Sequence, residues 1–448
     1  MNERFSELRT KYPEFIYDSF SKEFSADIIK VKYRFIQSEK IIFEPELSFF
    51  LPRKKLSDKN LDTVFFNIGM IELISYYKAC CSPLMTVKAG YLNREQKEFW
   101  KKLYFNGLGE FLYMNRIETS SDELCRIVCD SGKVHAKSDA NLTDGCLIPV
   151  GGGKDSVVTL EILKELDCLP LILNPREASV QTVQNSGYRN FFKIERKIDP
   201  KLLELNKAGY LNGHTPFSAL LAFVSATAGL MTGRKNIVLS NENSASIGNV
   251  MFSGIEINHQ YSKSFEAEKD LNDYIAEYIH SEINYFSFLR PLNELKIAEL
   301  FSRYDRHRST FRSCNAGSKN NIWCGKCPKC LFTYIILSPF IDRIDLVSIF
   351  GSDLLTDTAL EKTFDELTGE AGIKPFECVG TKEEVNAALA FTLKKYGNEK
   401  LPYLLDIFYN RNSLNINKFL KEFNAILNEF NNMNLLDDHF KKILTDNL

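Results

Sequence analysis

The chain has 448 residues, 44% of them hydrophobic and 25% charged, as in an ordinary globular protein large enough for two or three domains. A formal net charge of -2 leaves no global basic field that would argue for nucleic acid. The N-terminus carries no signal-peptide core, and the longest apolar run, Phe217 to Met231, contains Ser and Thr and is too short to cross a bilayer. A soluble, cytoplasmic protein without nucleic-acid or membrane partners is expected.

Residues 1–138 mix strand-like pieces (DIIKVKYRFI, KIIFEPELSFFLP) with helical ones (DTVFFNIGMIELISYYKAC, NREQKEFWKKLYFNGLGEF), so an α+β N-terminal domain is expected. Asn93 is a candidate N-cap, and Gln96 three residues on completes a capping-box pattern. The GLG of Gly107 to Gly109 reads as a turn.

Residues 139–342 alternate short apolar runs with amphipathic ones. CLIPV, LPLILNP, NFFKIER and KNIVL are strand-like; DSVVTLEILKEL, SVQTVQNSGY and TPFSALLAFVSATAGL are helical, the last with Pro216 at its first turn. This alternation predicts an α/β unit with a parallel sheet. Between its first strand and first helix stands VGGGKDS. A helix start presents unpaired N–H groups and the positive end of its dipole, and Gly151, Gly152 and Gly153 let backbone approach a ligand closely. That makes an anion cradle. Lys154 adds a charge and Ser156 a hydroxyl. Asp155 would repel a phosphate unless a cation lay between them, so it reads as a Mg²⁺ contact. The bland alternative is a glycine-rich turn with no ligand.

Further along, SNENSASIGN follows the KNIVL strand and places Glu242 at a strand's carboxyl end, where open α/β sheets bind ligands. Glu242 could join Asp155 on a metal or act as a base. NHQYSKSFEAE gathers His259, Tyr261 and Lys263 in one polar stretch, and Lys263 and Arg312 are cationic candidates for anionic substrate groups. His214, just before a helix start, reads more as a cap or surface residue than as a base; His307, in the charge run RYDRHRS, reads as part of a solvated face, and Asp305 beside it as a surface residue or a ligand contact.

Eleven cysteines are present. Seven (Cys80, Cys81, Cys125, Cys129, Cys146, Cys168 and Cys378) are scattered and read as buried free thiols. The other four, Cys314, Cys324, Cys327 and Cys330, fall in RSCNAGSKNNIWCGKCPKC. Two overlapping C-x-x-C steps put three sulfurs on one knuckle and Cys314 supplies a fourth, the pattern of a closed structural Zn²⁺ site; an iron–sulfur cluster and unmetallated thiols are the rivals. Residues 343–448 read as a helical C-terminal region, with KEEVNAALAFTLKKY and INKFLKEFNAILNEF as its clearest helices.

The GGGKDS loop resembles the SGGxDS pyrophosphate loop of the adenine-nucleotide α-hydrolase superfamily, with Gly151 where that pattern has its first serine. The resemblance implies a Rossmann-like sheet of the PP-loop ATP pyrophosphatase (HUP) type, ATP as substrate, and cleavage between its α and β phosphates. A similar cysteine cluster, after a segment like FLRPLNELKIAELF with Arg290 and Pro291 before a helix near Asn293, occurs in the 7-cyano-7-deazaguanine synthases, which are much shorter. Over residues 60–340 the chain more fully resembles the bacterial ATP-dependent UDP-N-acetyl-α-D-muramoyl-L-alanyl-L-glutamate epimerases. The pieces that carry this are FFNIGMIELISYYKACCSP, GLGEFLYMN, PVGGGKDS, LSNENSAS, NHQYSKS, RSCNAG and WCGKCPKC. It implies a nucleotide-sugar peptide substrate whose terminal L-glutamate is adenylated, inverted and released with AMP and pyrophosphate. On that basis His259 and Tyr261 would handle protons and Lys263 would hold the enolate oxygen. The alternatives are another PP-loop synthetase or tRNA-modifying thiolase, and a zinc-bearing module whose nucleotide site only regulates.

Overall fold

The computed structural model describes residues 2–51 and 61–448. Strands β1 (Glu14–Phe24), β2 (Ile28–Ser38), β3 (Ile41–Phe43), β4 (Glu46–Phe50), β5 (Leu84–Val87) and β6 (Arg126–Cys129) precede the glycine loop. Strands β7 (Thr143–Pro149), β8 (Cys168–Leu173), β9 (Phe192–Lys197), β10 (Arg234–Leu239), β11 (Val250–Phe252), β12 (Ile255–Ile257) and β13 (Asn284–Ser287) follow. Eleven of them form one mixed sheet in the order β13-β10-β7-β8-β9-β4-β2-β1-β5-β6, with β3 beside β2; β11 and β12 make a separate hairpin.

The half of the sheet from β13 to β9 is wholly parallel. Counted from β7, its strands run 3-2-1-4-5, the order of doubly wound sheets, and the order reverses between β7 and β10. Side chains on these strands alternate between two cores. Leu147 and Ile237 join one and Ile148 and Val238 the other, because successive residues point to opposite faces. The apolar helix Phe217–Thr232 covers the first face, and Lys154–Ile162 with Glu294–Ser302 covers the second. Pro216 lies at the N-cap of its helix, one position outside the expected first turn.

Between β9 and β4 the sheet crosses into the first part of the chain, Glu46 to Phe50 pairing antiparallel with Lys197 to Lys193. The sheet is therefore continuous across residue 138, and one layer of hydrogen bonds ties both regions together. Strand β1 was not anticipated from sequence. Its inner half alternates Phe15 and Tyr17 inward, while DSFSKEF beyond them is mostly polar, with Asp18 paired to Arg34 and Lys22 to Asp62. Pro52, at the end of the second strand-like piece, lies outside the described residues.

Asn93 caps its helix as the pattern predicts, with Gln96 N donating to Asn93 Oδ1 at 2.8 Å and Asn93 N to Gln96 Oε1 at 3.0 Å. Beyond residue 343 the chain is helical and packs on the core's second face. One expectation is corrected: His307 is buried, not on a solvated face. Its Nε2 meets Glu161 Oε1 at 2.7 Å, because the buried carboxylate on the Lys154–Ile162 helix requires partners, and His307 and Arg306 supply them. Among the described residues no helix is long and apolar enough to cross a membrane.

Candidate active site

The glycine loop leaves β7 at the point where strand order reverses. Gly152 has φ +89°, and a Cβ there would lie 2.8 Å from Ser179 N and 2.9 Å from the Ala178 carbonyl carbon, so only glycine fits. A Cβ on Gly151 would meet open space. Gly153 is the N-cap of Lys154–Ile162, with no side chain capping the helix start. Ser156 Oγ instead stays within the loop, donating to Gly153 O at 2.9 Å and accepting from Gly152 N at 3.3 Å. Arg312 N holds Gly152 O at 2.8 Å, while the Arg312 guanidinium turns to the Phe311 and Asn321 carbonyls.

Beside the loop lies a cavity of about 40 Å³ whose lining includes Lys154, Asp155, Glu242, Lys263, Glu294, Lys329 and Cys378. This brings together four of the sequence-predicted residues. The Lys154 ammonium sits between the Asp155 and Glu294 carboxylates. Burial disfavours its charge, but those two carboxylates outweigh burial and hold its pKa above the lysine range. Burial also pushes Glu294 up, helped by Asp155, Glu242 and Glu384 around it. Asp155, Glu242 and Glu294 thus bring carboxylates, the donor type that hard cations take, to the lining of one cavity. Ser240, just past β10, and Ser244, in the turn that follows, each keep a buried hydroxyl oxygen with no hydrogen-bond partner.

Arg290 organises this wall. Fully buried, it pairs with Glu268 at 2.7 Å and donates to the carbonyls of Glu242 at 2.6 Å and Lys263 at 2.5 Å. It thereby sets the backbone under two cavity residues that are 21 positions apart in sequence.

His259 stands behind Lys263. Its Nδ1 is 2.5 Å from Glu110 Oε2, its backbone N donates to Asn249 Oδ1 at 2.9 Å, and Cys378 lies near enough to favour its charged form. His214 packs against it with ring centroids 4.5 Å apart and lies 3.6 Å from the same Glu110 oxygen. The two imidazoles separate in character. Burial works against the charge on His259, but Cys378 and Glu110 push its pKa up to about 9; burial and the charge on His259 push His214 down to about 4. The 2.5 Å contact is a charge-assisted hydrogen bond; ligands sharing one metal at about 2.1 Å would stand farther apart. Glu110 and Cys378 were not singled out from sequence. The GLG turn carries Glu110 into place: the helices Arg94–Gly107 and Gly109–Met114 meet at Leu108, and a Cβ on Gly107 would strike the Pro216 ring at 2.7 Å.

Tyr261 is not brought to the cavity. Its hydroxyl turns to Asn106, with Glu266, Asp270 and Lys102 nearby, and burial pushes it up to about 12. Asp305 is on the surface, paired with Arg308 at 2.6 Å.

The four clustered cysteines converge. The Sγ separations are 3.7 Å for Cys314–Cys327, 3.7 Å for Cys324–Cys330 and 3.5 Å for Cys327–Cys330. Four thiolates at about 2.3 Å from one ion form a tetrahedron with edges of about 3.8 Å, so the set could hold a single metal ion. Cys327 is also the N-cap of the helix Pro328–Leu337, from which Lys329 and Phe332 reach the cavity.

Two family models match the chain in succession, the MurL N-terminal domain over residues 6–288 and the MurL C-terminal domain over residues 309–415. The chain belongs to the MurL family. Similar curated proteins are each called UDP-N-acetyl-alpha-D-muramoyl-L-alanyl-L-glutamate epimerase. The protein of a Micromonospora strain is 37% identical over 78% of this chain and 79% of its own length. That of Salinispora tropica is 36% identical over 80% of each, and that of Xanthomonas oryzae pv. oryzae 34% identical over 72% and 73%. No solved structure matches the chain. The first model spans both the sheet's antiparallel part and the glycine loop, and the second spans the cysteine knuckle and Cys378.

Proposed function

We propose that this MurL family member is an ATP-dependent epimerase of peptidoglycan precursor synthesis. It converts the terminal L-glutamate of UDP-N-acetylmuramoyl-L-alanyl-L-glutamate to D-glutamate through an acyl-adenylate, releasing AMP and pyrophosphate. The observation that carries this reading is the match, over most of both chains, to relatives named for that substrate and that epimerisation. The 3-2-1-4-5 order and the glycine loop at the strand-order reversal support a PP-loop type of core for the activation step.

The chemistry needs activation first. An α-proton next to a carboxylate is hard to remove, because a dianion results. An adenylate removes that charge and makes the carbonyl electrophilic. In this reading the backbone N–H groups of Gly153 and the helix start receive the ATP phosphates, and Lys154 neutralises them. Asp155 and Glu242 would hold Mg²⁺, which when bound supplies positive charge against the polyphosphate. Lys263 faces the carbonyl oxygen on which enolate charge develops. The cysteine knuckle would hold structural Zn²⁺: sulfurs 3.5 to 3.7 Å apart suit one tetrahedral ion.

The test is direct. The purified protein is incubated with ATP, Mg²⁺ and the L-glutamate precursor, and the configuration of the recovered glutamate is determined. D-glutamate formed with stoichiometric AMP supports the reading; AMP release that ignores the muramoyl dipeptide overturns it in favour of another PP-loop ligase.

A further inference from the structure

Cys378 has no role in the function proposed so far, yet it lines the cavity together with Asp155, Glu242 and Lys263. Lys263 Nζ donates to its Sγ at 3.4 Å, and His259, anchored on Glu110 at 2.5 Å, favours its ionised form. The cysteine thus has an ammonium in contact and an imidazole oriented by a carboxylate nearby, the kinds of group that activate a nucleophile or base. We propose that Cys378 is the base that takes the α-proton of the activated glutamyl residue, with its thiolate held by Lys263 and His259 and His259 held by Glu110.

The thiol's surroundings differ from those of the buried thiols in the first part of the chain. Burial pushes Cys80, Cys81 and Cys125 up, so those thiols stay protonated. Burial opposes ionisation of Cys378 too, but Lys263, Lys329 and His259 hold it down to about 5. A thiolate that persists at neutral pH, enclosed beside the phosphate loop, has the state a base requires.

The step balances as follows. The thiolate takes the proton from Cα, and the C–H electron pair moves into the bond between Cα and the acyl carbon, giving the enolate of the adenylate. Cys378 becomes a thiol and no longer offers Lys263 an anion. The Lys263 ammonium is then free to pair with the enolate oxygen just as that charge forms. A proton-bearing side chain elsewhere in the cavity (Lys154, Glu294 and Lys329 line it) returns a proton to the other face of Cα. Water then cleaves the acyl–phosphate bond, releasing AMP and the D-glutamyl carboxylate; Cys378 loses its proton to solvent and the donor side chain regains one from it.

The proposal rests on the epimerase reading, and its test separates the two. Wild-type enzyme, Cys378→Ser and Cys378→Ala are incubated with ATP, Mg²⁺ and precursor in deuterium oxide. AMP, pyrophosphate and deuterium at the α-carbon are then measured. Both variants are expected to release AMP and pyrophosphate within about tenfold of wild type and to return unlabelled L-glutamate, exchange falling about 10²- to 10⁴-fold, as for loss of a general base. Continued exchange at the wild-type rate overturns the proposal. Loss of AMP release together with exchange, in a variant that melts like wild type, also overturns it by placing Cys378 in activation. If wild-type enzyme neither exchanges nor inverts, the epimerase reading itself falls, and the proposal with it.

Discussion

Single side chains in this site are defined by their neighbours more than by their own chemistry. Asp155 is a third exposed and pairs only with Lys154 among its recorded ion pairs, so its removal costs little packing. Asp155→Ala is expected to fold normally and to lose pyrophosphate release by at least about 100-fold, the scale of a lost charge-positioning group; a coupled pyrophosphate assay with a melting curve checks both halves. His259 lies between Glu110, His214, Cys378 and Lys263, and Cys378 between His259, Lys263 and Lys329. Inversion should need Cys378 ionised and His259 protonated, which gives a bell between about 5 and about 9. Glu110→Gln removes a group that raises His259, so the alkaline limb of the exchange rate should move to lower pH while AMP release is unchanged. An alkaline limb that stays put would separate Glu110 from the reaction.

At the scale of elements, two devices hold the glycine loop. The first is the pairing of the Lys154–Ile162 helix with the segment around His307. Burial raises Glu161, but hydrogen bonds from His307 and Arg306 bring it down to about 2, below an unfolded value of 4.5. The folded pKa is depressed, so the stabilisation is fully present above about 4.5 and is lost as pH falls toward 2. The shift corresponds to about 3 kcal/mol. Glu161→Gln should lower the melting temperature at pH 7 and flatten its fall between pH 5 and 2, read by thermal melts across that range. The second device is the cysteine knuckle, which places Lys329 in the cavity and follows directly on the Arg312 contact with Gly152. One tightly bound zinc per chain is expected by metal analysis. Cys327→Ser should cut soluble yield and metal content more than it alters the chemistry of what folds.

For the whole molecule, the single sheet and the helical tail bind distant parts of the chain into one site. Glu110 comes from before the sheet's parallel half, Asp155 from its first crossover, and Cys378 from the tail side, so no short segment contains the chemistry. The last helix, Asp438–Thr445, closes the core: Phe440 is buried with its ring centroid 4.8 Å from Phe286 on β13, and Asn431 meets Asn243 next to Glu242. Phe440→Ala is expected to destabilise by about 3 to 5 kcal/mol, the cost of emptying an aromatic site; denaturant unfolding measures it. Destabilisation below about 1 kcal/mol would show that the tail is an appendage.

Local chemistry was legible in the sequence. The glycine loop, the Asn93 capping box and the four-cysteine spacing are each encoded in one short stretch, and the parallel α/β alternation in a succession of such stretches, by backbone freedom, hydrophobic period or ligand geometry. What the sequence could not show depends on contacts between residues far apart. Cys378 read as one more buried thiol, because a thiol's ionisation is set by the charges that folding places around it. His307 read as solvated, because its partner Glu161 lies 146 positions away. Tyr261 read with His259 and Lys263, but backbone direction through a short 3₁₀ turn sends its hydroxyl elsewhere. Adjacency along the chain decides which groups are neighbours only within a turn or two; beyond that, the sheet order and the packing of helices on its faces decide it.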